Sequence, residues 1–364
     1  MVIKKKWFKI LFSVIAAILG LIIITLSVFA IVFRKELKNI RYVEKVDDYR
    51  FYTMEYELDY DIDELMQTGV SNDQEYLDYI ISKVFKGLPI HIDISKYACS
   101  TFSAKTPEGD YLFGRNFDWG YSPSMLLKTT PKNGYASLSM VNLGFVGYDD
   151  TFLPDGYLNR ILTLAAPYVP MDGINEKGLA IGVLYLETEP TAQNTEKVDI
   201  VTTAMIRIVL DKAANVEEAI ELFSKFDMHD SVGACYHYQI CDASGASVVI
   251  EYVNNEMRII TPEERLEGHS YQMLTNYFLS EDGDNSKPFG EDRYAIMEDR
   301  LSTSSGILTK EQSMELLKDA RIVSYVWPDG WEDKTQWSAV CDLTNRSVDI
   351  CIGMNYGTVF SYAL

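Results

Sequence analysis

At 364 residues, with 47% hydrophobic and 12% aromatic content, the chain can bury a sizeable core, which excludes wholesale disorder. The formal net charge is −20, yet residues 1–45 hold nine Lys/Arg against two Asp/Glu, so about +7 sits at the N-terminus and about −27 on the rest. A body that acidic repels phosphate backbones and argues against nucleic-acid binding. There is no Cys-x-x-Cys pair, zinc-type spacing or Gly-rich phosphate loop, and there are only four histidines, so no metal and no cofactor is expected.

Residues 1–9 form a basic tail with Lys4, Lys5, Lys6 and Lys9. Residues 10–33 are uncharged, and at about 1.5 Å per residue such a helix spans the roughly 30 Å hydrocarbon core of a bilayer. "VFA" before Ile31 loosely resembles a signal-peptide cleavage site, but the apolar run is long for a signal peptide. The segment is read as an uncleaved single-pass anchor in the cell membrane. Positive charge flanks it on both sides, with Arg34, Lys35, Lys38 and Arg41 following. The compact basic cluster ahead of it places the N-terminus inside and the body outside the cytoplasm.

Residues 34–98 read as a charged, tyrosine-rich connecting segment. Within it the spacing predicts an amphipathic helix over 73–86, capped by Asp73 and ended by Gly87, with an apolar face of Tyr76, Ile80 and Val84.

From residue 99 onward the text alternates strand pairs and helices without repeats or low-complexity linkers. "STFSAK", "TPEGD" and "YLFGRNFDW" form a hairpin. "GINEKGLAIGVLYLE" is a turn and an apolar strand, and "VTTAMIRIVLDKAANVEEAIELFSKF" is two helices, the second capped by Asn215. "HYQICDASGASVVIEYVNNEMRIIT" is a hairpin followed by another strand, "KEQSMELLKDA" a short helix, and "TQWSAVCDLTNRSVDICIGMN" a closing hairpin. The fold class is α+β, one domain over 99–364 with extensive antiparallel sheet.

Five cysteines are present. Cys235, Cys241, Cys341 and Cys351 sit in strand-like text and read as small buried apolar side chains. Cys99 differs. If Lys105 pairs with Tyr111 across the turn, Cys99 lies opposite Phe117, beside Asp118; one residue more or less in the loop puts Asp118 directly opposite it. Arg115 lies on the same return strand. A thiol, a guanidinium and a carboxylate thus gather at one end of the hairpin, and a nearby cation favours thiolate. By itself this is equally a structural ion pair beside an inert cysteine.

Cys99-Ser100-Thr101 followed by Gly114-Arg115-Asn116-Phe117-Asp118-Trp119 resembles the N-terminal segment of the choloylglycine hydrolase, or linear amide C-N hydrolase, family. Four further stretches resemble that family in the same order: "MDGINEKGLAIGVLYL" (171–186), "LTNYF" (274–278), "EDRYAIMEDRL" (291–301) and "TQWSAVCDLTN" (335–345). The resemblance spans nearly all of residues 99–364 and leaves out residues 1–98.

The resemblance implies an N-terminal-nucleophile hydrolase, a four-layer αββα sandwich, with penicillin V acylases and acid-ceramidase-like amidases among its relatives. It implies that cutting the Ala98–Cys99 bond, autocatalytically, exposes Cys99 as both nucleophile and α-amine base. Asp118 would orient the α-amine, and Arg115 would stabilise the thiolate. Asn276 and the backbone N–H of Tyr185 would hold the oxyanion, and Arg293 would complete the polar network. Asn116 would only support the turn. Many bile salt hydrolases carry asparagine where this chain has Tyr185, and the Asn276–Arg293 gap is short, as in acid-ceramidase-like relatives. Bile salts are therefore not assigned as the substrate. The expected activity is hydrolysis of a linear amide in a small N-acyl compound through an acyl-thioester. Two alternatives are an acyltransferase using the same thioester and a non-catalytic pocket protein sensing acylated ligands.

Overall fold

The turn at Thr106–Asp110 organises one half of the molecule. The Thr106 N–H donates to the Asp110 carbonyl at 2.7 Å, and Gly109 takes φ +106°, a conformation L side chains rarely adopt. The flanking strands Ala98–Lys105 and Tyr111–Trp119 pair with Lys105 opposite Tyr111 and Cys99 opposite Phe117. Of the two registers open to the sequence, this one puts Asp118 opposite Ala98. Gly114 is required here: a Cβ would lie 2.4 Å from the Phe102 ring across the pair.

In the computed structural model, residues 2–87, 98–262 and 271–364 are described. The 88–97 part of the predicted connecting segment lies outside the described residues. The hairpin belongs to a seven-stranded antiparallel sheet. Its path runs Met273–Leu274, Ala98–Lys105, Tyr111–Trp119, Glu332–Asp342, Ser347–Ile352 and Phe360–Ala363, with Tyr325–Val326 added on Glu332–Asp342. A nine-stranded sheet runs Val43–Lys45, Phe51–Tyr56, Ser124–Thr129, Ser137–Asn142, Pro170–Asn175, Ala180–Leu186, Cys235–Cys241, Ser247–Val253 and Glu256–Ile260. It is antiparallel except where Phe51–Tyr56 runs parallel to Ser124–Thr129.

The sheets face each other where Ala98–Lys105 meets Ala180–Leu186 and Cys235–Cys241. Helices Thr202–Lys212 and Val216–Lys225 cover the nine-stranded sheet; Glu291–Thr303 and Lys310–Asp319 cover the other. The result is an αββα sandwich. Ala180–Leu186 is buried along its whole length, which is why it reads as a continuous rather than alternating apolar run; Cys235–Cys241 is equally buried but carries His237 and Gln239.

Helix Val2–Val32 contains the stretch Leu11–Val32, long and apolar enough to cross a membrane, with side chains such as Leu19, Ile23 and Leu26 exposed. The segment after it joins the sandwich through the Val43–Lys45 and Phe51–Tyr56 strands and helix Asp73–Val84. Tyr76, Ile80 and Val84 of that helix are buried, and the Tyr76 hydroxyl donates to the Tyr168 carbonyl at 2.7 Å. The helix cap is Asn72 rather than Asp73. Asn72 Oδ1 accepts the Glu75 N–H at 3.0 Å, while the Asp73 carboxylate accepts the Val232 N–H at 2.7 Å. Asn215 caps Val216–Lys225, as its sequence predicts. All five cysteines are free and buried.

Candidate active site

Cys99 is the second residue of its strand and fully buried. On one side it faces Phe117. On the other side Met273 pairs with Phe102 and Leu274 with Thr101, and continuing that register by two residues brings Asn276 opposite Cys99. Asn276 Oδ1 accepts the Cys99 main-chain N–H at 2.9 Å and Arg293 Nη2–H at 2.8 Å. Its Nδ2 donates to the Tyr185 carbonyl at 2.8 Å. Two donors on one side and an acceptor on the other fix which way the amide points.

Arg293 stands at the start of helix Glu291–Thr303. Gly290 before it takes φ +86°, and a Cβ there would lie 2.5 Å from Arg293 Nη2. Arg293 Nη1 donates to the Cys99 carbonyl at 2.6 Å and to Asp118 Oδ2 at 3.1 Å. The two main-chain polar groups of Cys99 are therefore held by two side chains that also hold each other.

Side chains alternate across a strand. Because Asp118 pairs with Ala98, its carboxylate lies on the opposite face from the Cys99 side chain, beside the 98–99 main chain. There Asp118 Oδ1 accepts Thr335 Oγ–H at 2.5 Å. A register shift between Thr335 and Trp337 sets this up: Thr335 faces Asp118, while Trp337 still faces Phe117 and stacks on it at 4.0 Å between centroids.

On the inter-sheet face, Arg115 sits opposite Thr101, two residues along from Phe117. Its Nε donates to Asp172 Oδ2 at 3.3 Å, and Trp337 Nε1 donates to the same oxygen at 3.0 Å. Asn116 points the other way and ties the strand to the Lys310–Asp319 helix, with Nδ2 on the Leu317 carbonyl at 2.8 Å.

Burial pushes the Cys99 thiol up to about 12; the Asp118 charge adds to that, while the Arg115 and Arg293 charges and a hydrogen bond from the Asp118 main chain oppose it. Burial likewise raises the Asp118 carboxyl to about 6 against the pull of Arg293, Thr335 and Arg115. It raises Asp172 to about 6 against Arg115 and Trp337. With its nitrogen in a peptide bond, Cys99 therefore holds a protonated thiol at neutral pH. A cleft of about 460 Å³ lined by residues including Phe289, Arg293, Ile322 and Tyr325 touches the cluster at Arg293. Among the described residues, no group of three His, Cys, Asp or Glu is arranged to hold a metal.

The structure thus brings Cys99, Asp118, Asn276 and Arg293 into one connected cluster, with Tyr185 joined through its carbonyl and Arg115 acting on the thiol by charge. Sequence reasoning missed Asp172, Thr335 and Gly290. The first two fall inside the quoted stretches "MDGINEKG" and "TQWSAV", but nothing local marks them as partners of Arg115 and Asp118.

Residues 99–277 match the model of a family described as linear amide C-N hydrolases, choloylglycine hydrolase family. The chain resembles this family over those 179 of its 364 residues. Over 119 residues it is 34% identical to penicillin V acylase of Pectobacterium atrosepticum, a stretch amounting to 29% of this chain and 29% of that relative. The match to this relative therefore spans less than a third of its length. Two crystal structures of conjugated bile acid hydrolase from Clostridium perfringens, each of a single-residue variant, superpose with TM-scores of 0.52 and 0.50. Both are 16% identical and cover 73% of this chain and 92% of their own. At that identity the likeness is one of fold, the αββα sandwich.

Proposed function

We propose that this chain is a choloylglycine hydrolase family member, a membrane-tethered amidohydrolase that cleaves a linear amide of a small N-acyl compound, with Cys99 as nucleophile. The observation that carries the reading is the grip on Cys99. Its N–H is held by Asn276 and its carbonyl by Arg293, so the residue stays in place when the bond before it is cut.

Cutting Ala98–Cys99 turns the Cys99 nitrogen into an amine with an ordinary pKa near 7.7–8.0, able to take the thiol proton. Asp118, beside that nitrogen on the outer face, and Asn276 Oδ1 orient it. The Arg115 and Arg293 charges favour the thiolate. The thiolate attacks the substrate carbonyl carbon, forming a C–S bond and an oxyanion. Asn276 Nδ2 gives one hydrogen to the Tyr185 carbonyl and has a second for the oxyanion, and the Tyr185 N–H is the other donor. The C–N bond then breaks as the α-ammonium protonates the leaving amine. Water, deprotonated by the same amine, hydrolyses the thioester and returns the thiol.

The anchor lies on the N-terminal side of the cut. Strand Phe51–Tyr56, paired over six residues with Ser124–Thr129, and the buried face of helix Asp73–Val84 support retention of the N-terminal piece as a non-covalent subunit. With the basic tail inside, the catalytic body stands outside the cytoplasm.

Intact mass and N-terminal sequencing of the full chain, beside Cys99→Ala, test this reading, together with hydrolysis of a panel of N-acyl aminocoumarins. A new N-terminus at Cys99 that is absent in the alanine variant, with amide hydrolysis absent there too, is the expected result. An uncut chain whose Cys99 nitrogen remains an amide cannot use that nitrogen as base and overturns the reading.

A further inference from the structure

A buried histidine–glutamate pair beside the site takes no part in the steps above. Strands Cys235–Cys241 and Ser247–Val253 pair with Tyr238 opposite Ile250, which brings the adjacent His237 and Glu251 face to face. Both side chains are fully buried. His237 Nδ1 lies 3.1 Å from Glu251 Oε1, and Nε2 lies 2.8 Å from the Thr275 main-chain oxygen. A carbonyl only accepts, so Nε2 carries a hydrogen.

Glu251 fixes the other nitrogen. Oε1 also accepts the Leu279 N–H at 2.8 Å; Oε2 accepts the Ser280 N–H at 3.0 Å and its hydroxyl at 2.7 Å. Main-chain donors on both oxygens favour the carboxylate and fix its direction. Burial works against that ionisation, but the His237 hydrogen bond and charge and the Leu279 and Ser280 donors hold the carboxyl below its ordinary value. His237 thus links the Glu251 carboxyl on one side to the Thr275 carbonyl on the other.

The carbonyl it holds belongs to the peptide between Thr275 and Asn276. The other end of that rigid plane, the Asn276 N–H, donates to the Phe289 carbonyl at 3.1 Å. The plane that carries the Asn276 side chain is therefore pinned at both ends, and Glu251 secures the chain three and four residues further on.

We infer that His237 and Glu251 are positioning residues, clamping residues 275–280 so that the Asn276 amide is presented to Cys99 and to the reacting carbonyl. The inference rests on the proposed function, in which Asn276 holds the oxyanion.

Two substitutions separate the clamp from bulk packing. Gln can place its nitrogen near the His237 Nε2 position and keep the Thr275 bond; Asn reaches only the Nδ1 position and loses it. In the detergent-solubilised full chain, His237→Asn is expected to lower kcat on N-acyl aminocoumarins roughly 10- to 100-fold, the scale for misplacing a catalytic group by about 1 Å. KM should change little, and His237→Gln should recover most of the loss. Wild-type kcat in His237→Asn, or no recovery in His237→Gln, overturns the clamp.

If wild type and Cys99→Ala are equally inactive, the hydrolase reading fails instead. A second measurement stands apart from activity. With His91, His229 and His269 replaced by Gln, ¹⁵N NMR of the remaining histidine should show a hydrogen on Nε2, the nitrogen that faces the Thr275 carbonyl. An Nε2 without a hydrogen overturns the inference.

Discussion

Asn276 lies opposite Cys99 across two neighbouring strands, 177 residues apart in sequence, and its Oδ1 accepts the Cys99 N–H at 2.9 Å. The same side chain takes Arg293 on its oxygen and gives its nitrogen to Tyr185. Asn276→Ala removes an acceptor from the nucleophile's own nitrogen and a donor from the oxyanion position. Loss of one such donor is worth roughly 10²–10³ in kcat, and kinetics on N-acyl aminocoumarins should show a fall of at least that size. A kcat within a few-fold of wild type would remove Asn276 from the reaction.

Gly290 holds Arg293 in place by having no side chain. In Gly290→Ala the new methyl would sit 2.5 Å from Nη2, so the guanidinium must leave either Asn276 or Cys99. Left-handed strain adds roughly 1–2 kcal/mol. Gly109→Ala is the control. It carries similar strain at φ +106° in the distal turn, with only Lys105 Cε at 3.9 Å to meet. Thermal unfolding should show both variants weakened, while turnover should collapse in Gly290→Ala alone.

The pairing of Cys99 with Phe117 was legible because a five-residue Pro/Gly turn lies between two strand-like runs, and its length narrows the register to two choices. The fold class was legible for a similar reason: helices and hairpins each leave a local pattern. The rest depends on contacts that leave none. The Met273–Leu274 strand is two residues long, too short for any periodicity, yet it delivers Asn276. The 51–56 segment read as charged and tyrosine-rich, because its strand character comes from a parallel partner 73 residues on. Asp172 lay inside a quoted motif, but its partners Arg115 and Trp337 come from the opposing sheet. His237 and Glu251 sit in fully buried strands where a polar residue has no periodic signature, and Asp73 passed for a cap because Asn72, one residue earlier, is equally good at that task.

Asp172 should make stability depend on acidity. Its folded carboxyl is raised to about 6, above the ordinary value near 4. Between those values the folded chain keeps a proton that the unfolded chain has released. The stability from this group is therefore full below about pH 4 and is lost as pH rises through 6. The amide introduced by Asp172→Asn does not titrate. The unfolding free energy of wild type relative to Asp172→Asn should fall by on the order of 2 kcal/mol between pH 4 and pH 7. Asp118 shifts the same way but is present in both proteins and cancels. Urea unfolding at the two pH values checks this, and a constant difference would mean that Asp172 is ionised throughout.

After a cut at Ala98–Cys99, only packing connects the catalytic part to the membrane. Ile80 lies in the centre of that packing, buried on the same helix face as Tyr76 and Val84. Ile80→Asp places a carboxylate there without a partner, at a cost of several kcal/mol. What then holds the two pieces is the strand Phe51–Tyr56, bonded along one edge of Ser124–Thr129, with the bonds of Tyr60 to Asp211 at 2.7 Å and of the Val70 N–H to the Asp199 carbonyl at 2.8 Å. Sedimentation of membranes at neutral pH should find cut wild-type protein in the pellet and cut Ile80→Asp protein in the supernatant. Reading the N-terminus at Cys99 in both samples separates loss of docking from failure to process. Wild-type protein in the supernatant would mean that the N-terminal piece leaves once the bond is broken. The anchor would then be a device for delivering the precursor rather than for holding the enzyme.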